Sequence, residues 1–168
     1  GRYSSFLTHK GKMLTYFRCY LQTDAVMLED VGEIGDQTYA ALRKFLLYGT
    51  KAKMENCREN WGLLLVSGPK AAAVLNAAFG TNVADLKPLN FISAAIGGQT
   101  ALVIRTEETG EPDFEILIPS DGLAVAWERL MEAGAPEGIR PFGSQAHEAL
   151  RIEAGIPKAG PELNEEIV

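Results

Sequence analysis

Residues 105–116, RTEETGEPDFEI, bring five carboxylates and one arginine into twelve positions. Most belong to a polar turn between two apolar runs, QTALVIRT and DFEILIP, where acidic side chains are ordinarily solvated. Glu115 differs because it stands inside the second run, between Phe114 and Ile116. In an extended strand Asp113, Glu115 and Leu117 share one face, while Phe114, Ile116 and Ile118 share the other. Alternation alone makes the Phe/Ile face the core and turns Glu115 to solvent. The sharper alternative turns Glu115 into a cleft. A carboxylate withdrawn from water persists only with donors arranged around it. A ligand edge carrying two parallel N–H groups would match it as a guanidinium does.

His147 is the second candidate. It lies in SQAHEALRIEA, where Leu150, Arg151 and Ala154 follow at helical spacings, so it borders the inner face of that helix. It is either a partly buried residue at a helix start or a ligand contact. Other chemistries find no residues to carry them. His9 and His147 are isolated, and Cys19 and Cys57 make no C-x-x-C or Cys/His ligand spacing. The cysteines read instead as buried thiols of a reducing cytosol. SGPKAA places a glycine before a helix, but a lone Gly-Pro turn indicates helix initiation rather than a phosphate loop.

The elements that must position these residues follow from the apolar pattern. RYSSFLT, KMLTYFRCYLQ and DAVMLEDV read as strands, and QTYAALRKFLLY reads as a helix capped by Asp36 and stopped by Gly49. Leu42, Phe45 and Leu46 form its inner stripe, and KAKMENC follows as a strand. WGLLLV is a buried strand, after which Ser67 caps a helix whose inner face is Ala71, Leu75, Ala78 and Phe79, ending at Gly80. Residues 81–90 form a loop. FISAAI and QTALVIRT make a hairpin around Gly97-Gly98, and DFEILIP is a further strand. Ser120 caps a helix with Leu123, Trp127, Leu130 and Met131 inward, ended by Gly134. GIRPF reads as a last strand, and Ser144 opens a helix that Gly155 ends. The fold class is α+β: antiparallel sheets with packed helices in two lobes, arranged like ferredoxin-like halves, with the seam near residues 59–60.

Bulk properties narrow the function. The 168-residue chain is 46% hydrophobic and 23% charged, an ordinary globular balance. Its net charge of −6, with the basic residues scattered, argues against a broad nucleic-acid or anionic-membrane face and leaves room for a local basic pocket. No apolar run approaches the ~18 residues of a membrane helix.

Three stretches together carry a family likeness. FLTHKGKMLTYFRCYL resembles the opening of the folate-binding proteins of iron–sulfur cluster assembly and repair. RTEETGEPDFEILIP is similar to the hairpin of the glycine cleavage system T-protein (aminomethyltransferase). ALRIEAGIPKAGPELNEEIV resembles a segment shared by both branches. Their order and spacing also match, over nearly the whole chain. The chain therefore resembles the tetrahydrofolate-binding, T-protein-like superfamily.

That resemblance implies tetrahydrofolate as the ligand, with the glutamate of the hairpin's second strand gripping the pterin ring. Glu115 falls on that position, and the N3–H and 2-amino edge of a pterin is a donor pair of the kind described above. Arg105 and Phe114 also match. Glu108 stands where the family has a pterin-side tyrosine, GEPD replaces a glycine-rich GED-G, and His147 replaces an arginine at the start of the final helix. Thr15 and Tyr16 stand where transferases carry adjacent aspartates, one of them essential for moving the aminomethyl carbon to folate. Such an acid steers the amine and the folate nitrogen and handles protons during C–N exchange. Glu29 replaces a family asparagine, with no spacing that makes it a substitute acid.

The expectation is therefore a reduced-folate-binding protein of regulatory or iron–sulfur assembly type. Its folate-binding residues are Glu115, Arg105, Glu108, His147 and Tyr16, with no catalytic residue and no metal. Its partners are the small-molecule folate and a protein client, and its location is the cytoplasm. The rivals are an active folate-dependent aminomethyltransferase and a module that keeps the fold without folate. The lobes are expected at 1–58 and 59–168. The abrupt ends suggest a fragment lacking an N-terminal strand-and-loop portion and a C-terminal barrel, with the cysteine motif of the iron–sulfur branch beyond Val168.

Overall fold

Strands form where apolar side chains alternate. β1 (Arg2–Leu7), β2 (Met13–Leu21) and β3 (Val26–Asp30) pair antiparallel as a meander, followed by α1 (Gly35–Arg43). The computed structural model describes residues 1–30, 35–164 and 166. It divides into two units, Gly1–Asn56 with Pro157–Val168, and Cys57–Ile156. Residues 157–164 thus group with the first unit, and the chain leaves α4 (Ser144–Glu153) through Gly155 at φ +73°, a turn that suits glycine.

In the first unit Phe17 and Tyr20 are buried from the central strand. Arg18 is buried too, and its partner on the paired strand explains how. Its Nε lies 3.0 Å from Glu29 Oε2, and the Tyr20 hydroxyl donates to the same oxygen at 3.0 Å. The α1 helix stops at Arg43, short of the expected stripe, so Phe45 and Leu46 lie beyond it and are exposed. Asp36 sits in its first turn.

Two expected strands are absent among the described residues. Residues 51–57 take no regular structure, because Met54 is their only partly buried side chain and pairing would bury nothing else. Cys57 is consequently exposed, not a buried thiol, whereas Cys19 on β2 is half-buried. Residues 139–143 are likewise irregular. Pro141 has no N–H to give a ladder, and Gly138 precedes them in the left-handed region at φ +80°.

The second unit holds β4 (Trp61–Ser67), α2 (Ala71–Phe79), β5 (Phe91–Ile96), β6 (Gln99–Thr106), β7 (Asp113–Pro119), α3 (Leu123–Gly134) and α4 (Ser144–Glu153). The sheet is antiparallel in the order β4-β7-β6-β5. The class is α+β with antiparallel sheets, as expected; the ferredoxin-like comparison describes the helix-on-sheet layering, not the strand order. Gly97 and Gly98, at φ +59° and +82°, supply the tight β5–β6 turn. Ser67 ends β4 instead of capping α2, whose cap position is Lys70. Ser120 opens a short 3₁₀ turn that leads into α3.

The register sorts the two faces of this sheet. Val66, Val103, Phe114, Ile116 and Ile118 join Leu75, Val74 and Leu130 of the helices in one buried core. Leu65, Ile104 and Glu115 are register partners on the opposite face.

Candidate functional site

The face that carries Glu115 is not a solvated one. Glu115 is only 3% exposed, held between Leu65 of β4 and Ile104 of β6. The Phe/Ile face is the core, as the alternation requires, but the solvent-facing reading of Glu115 fails. The side chain instead lines an open cavity of about 770 Å³. The cavity follows the edge strand β4 and its turn into α2, and is bounded across from them by residues 137–144 and by α3. Polar side chains on its wall include Glu115, Glu108, Ser67 and His147, together with Arg140, Ser144 and the Lys70–Glu137 pair, whose charged atoms lie 2.9 Å apart.

Glu108 and His147 meet there, with Glu108 Oε2 3.4 Å from His147 Nε2. They reach this contact from separate elements. Glu108 lies in the turn between β6 and β7. His147 lies in the first turn of α4, where its N–H donates to Gly143 O at 3.1 Å, and the Phe142 ring stands 6.5 Å from its own. The far end of α4 is anchored by Arg151, which is buried, pairs with Glu148 through Nε and Nη2, and donates from Nη1 to Ile156 O at 3.0 Å. A fixed helix start is what lets a histidine hold one place at a cavity wall.

The other two sequence candidates are placed elsewhere. Arg105 is opposite Phe114 in the register and so projects on the helix side of the sheet, away from Glu115. Its guanidinium lies 5.7 Å from the Phe114 ring centroid and donates to Leu86 O at 3.2 Å. Arg105 therefore anchors the 81–90 loop and does not join the cavity residues. Tyr16 belongs to the first unit, where its ring stacks on Tyr3 with centroids 5.2 Å apart. Its neighbour Thr15 is buried, in a hydrogen bond with Thr38 Oγ1 of α1. The stretch 31–34 lies outside the described residues.

Sequence reasoning missed Ser67, Trp127 and Asp113. Trp127 was expected in the core but is half-exposed and lines the cavity. Asp113 was grouped with solvent-facing residues but is fully buried. The threonine four residues before it was the available signal, since a carboxylate at that spacing can close a turn through the threonine N–H and hydroxyl.

Chemically, the Glu115 and Glu108 carboxylates and an imidazole beside an apolar wall suit a flat, N–H-rich ligand, while Arg140 and Lys70 on the same lining can meet an anionic group. Among the described residues no group of His, Cys, Asp and Glu could hold a metal ion, and no helix is long and apolar enough to cross a membrane.

Comparison with known proteins agrees with this architecture. The model of the GCVT N-terminal domain family matches residues 1–168. An aminomethyltransferase of Prosthecochloris aestuarii is 34% identical over 132 residues, which is 78% of this chain and 36% of that protein. The aminomethyltransferases of Bacillus licheniformis and Bacillus subtilis are 40% identical over 115 and 116 residues, 68% of this chain and 32% of each of theirs. The chain spans about a third of the length of these curated relatives.

Proposed function

From a chain that belongs to the GCVT N-terminal domain family, we propose binding of a reduced folate in the cavity of the Cys57–Ile156 unit, without aminomethyl transfer. The observation that carries this is the placement of Glu115: a nearly buried carboxylate in mid-strand, opening on a cavity large enough for a heterocyclic ligand. Tetrahydrofolate fits that donor set. Its pterin edge offers N–H groups to Glu115, and the apolar walls along β4 and Trp127 suit its ring. Glu108 and His147 bound the same space and would orient the rest of the molecule. Arg105 supports this site from behind the sheet, and Tyr16 enters the reading only through the family resemblance.

The absence of transfer rests on Thr15 and Tyr16. A carboxylate at either position would steer the amine and relay its proton. Thr15 instead hydrogen-bonds Thr38, and Tyr16 stacks on Tyr3. Losing a positioned acid or base lowers rate on the order of 10²–10⁴-fold. The finer reading is a cytoplasmic regulatory or iron–sulfur assembly protein with a protein client.

The second reading, an active aminomethyltransferase, is favoured by the names of the relatives. An assay for methylene-tetrahydrofolate formed from an aminomethyl donor separates the two. Saturable tetrahydrofolate binding with negligible product supports our reading. Turnover undiminished in a Thr15→Ala/Tyr16→Phe variant would favour the transferase and place its chemistry elsewhere.

A further inference from the structure

Asp113 opens β7 and is wholly buried, yet it sits among donors. Its Oδ2 accepts the Glu108 N–H at 2.6 Å and the Thr109 N–H at 2.7 Å. Its Oδ1 accepts the Thr109 hydroxyl at 2.7 Å. Because Thr109 Oγ1 gives its proton to Asp113, the 2.7 Å contact between Ser67 Oγ and Thr109 Oγ1 must be donated by Ser67. Beside it, the Gly68 N–H donates to Pro112 O at 3.2 Å. One carboxylate thus closes the turn between β6 and β7 and ties it to the end of the edge strand. Burying a carboxylate is costly unless each lone pair is used. A solvated turn would not need one, so the conformation it fixes calls for a reason.

That reason lies one side chain away. Glu108, whose N–H Asp113 holds, is the residue that meets His147 at the cavity wall. We propose that Asp113 is a positioning residue: through the Glu108 and Thr109 amides it holds the Glu108 carboxylate against His147, and so sets the polar wall of the cavity before any ligand arrives. A preorganised wall avoids the ordering cost that a mobile turn would impose on binding. The relevance to binding rests on the folate reading above; the positioning itself does not.

The test uses the His147 ring nitrogens, followed by NMR in the whole chain at fixed pH, with His9 as an exposed internal control. Glu108→Gln should move the His147 ring signals and leave those of His9. Asp113→Ala should reproduce that movement, and combining the two substitutions should add nothing. Asp113→Asn should restore the wild-type signals. Its oxygen still takes both N–H groups, while its amide donates to Thr109, whose proton then turns to Ser67. A merely structural Asp113 would leave His147 unmoved in a folded Asp113→Ala protein, and that result overturns the proposal. So does a His147 spectrum indifferent to Glu108→Gln. Should Asp113→Ala not fold, Asp113→Ser is too short to reach both N–H groups and carries the same expectation. Wild-type hydrogen exchange needs no variant: the Glu108 and Thr109 amides should be protected relative to Gly110, and equal rates would refute the closure of the turn. In a tetrahydrofolate titration Asp113→Ala should weaken binding about as much as Glu108→Gln does, roughly 2- to 10-fold, the range of a net hydrogen bond. No binding by the wild-type chain would sink the folate reading and leave the NMR result standing.

Discussion

Each unit of this molecule buries acidic side chains in a sheet, and the two do so to different ends. In the first, Glu29 is met by Arg18 at 3.0 Å and by the Tyr20 hydroxyl at 3.0 Å, all from paired strands. Charge and counter-charge are supplied by the same sheet. In the second, Asp113 is held by its own turn, but Glu115 and Glu108 are set on the wall of a cavity with an imidazole beside them. Burial of a carboxylate is therefore no sign of function here. What separates the candidate site from the structural clusters is that its carboxylates border space.

The strongest way to break this comparison is to remove the cation that meets Glu29. Arg18→Ala should destabilise the first unit by about 3–5 kcal/mol, the usual cost of leaving a buried partner uncompensated. Chemical denaturation followed by CD would check it, and a loss below ~1 kcal/mol would mean that the Arg18–Glu29 pair is not a structural contact of this sheet. The counterpart is Glu115→Gln. Groups that serve a ligand are seldom optimised for stability, so this change should alter the unfolding free energy by about 1 kcal/mol or less in either direction. A large destabilisation would move Glu115 into the class of Glu29.

The smallest effect concerns the thiols. Burial pushes the Cys19 thiol up from its ordinary value. The folded chain thus favours the neutral form, and the associated stabilisation is complete below the ordinary thiol range and is lost as pH rises through the folded value. Near pH 8, alkylation should reach exposed Cys57 first and Cys19 more slowly, with the gap narrowing as pH rises. Mass spectrometry of partly labelled protein gives the order, and equal rates at pH 8 would contradict the burial of Cys19.

Much of this was legible in the sequence because period and punctuation agree. DFEILIP, QTALVIRT and WGLLLV are strands with the apolar face where alternation puts it, and α2 and α4 end at Gly80 and Gly155. KAKMENC and GIRPF misled because a short run says nothing about whether a partner strand is available, and these residues bury too little to recruit one. Glu115 was legible as an anomaly but not in its setting. Alternation names a face, while only the packing of the 137–144 segment beside β4 shows that the face borders a cavity. Arg105 was read as a neighbour of Glu115, yet strand parity sends it through the sheet to the other side. Asp113 is legible only through the threonine four residues before it, because two of its partners are backbone N–H groups, which sequence does not display.

The central claim is that the Glu115 carboxylate holds a reduced folate, and calorimetric titration of the wild-type chain and Glu115→Gln with tetrahydrofolate tests it most directly. Replacing a charge-assisted hydrogen bond with a neutral one should weaken binding by about 1.5–3 kcal/mol while the fold is kept. Equal affinities for the two proteins, or no saturable heat with either, would contradict it.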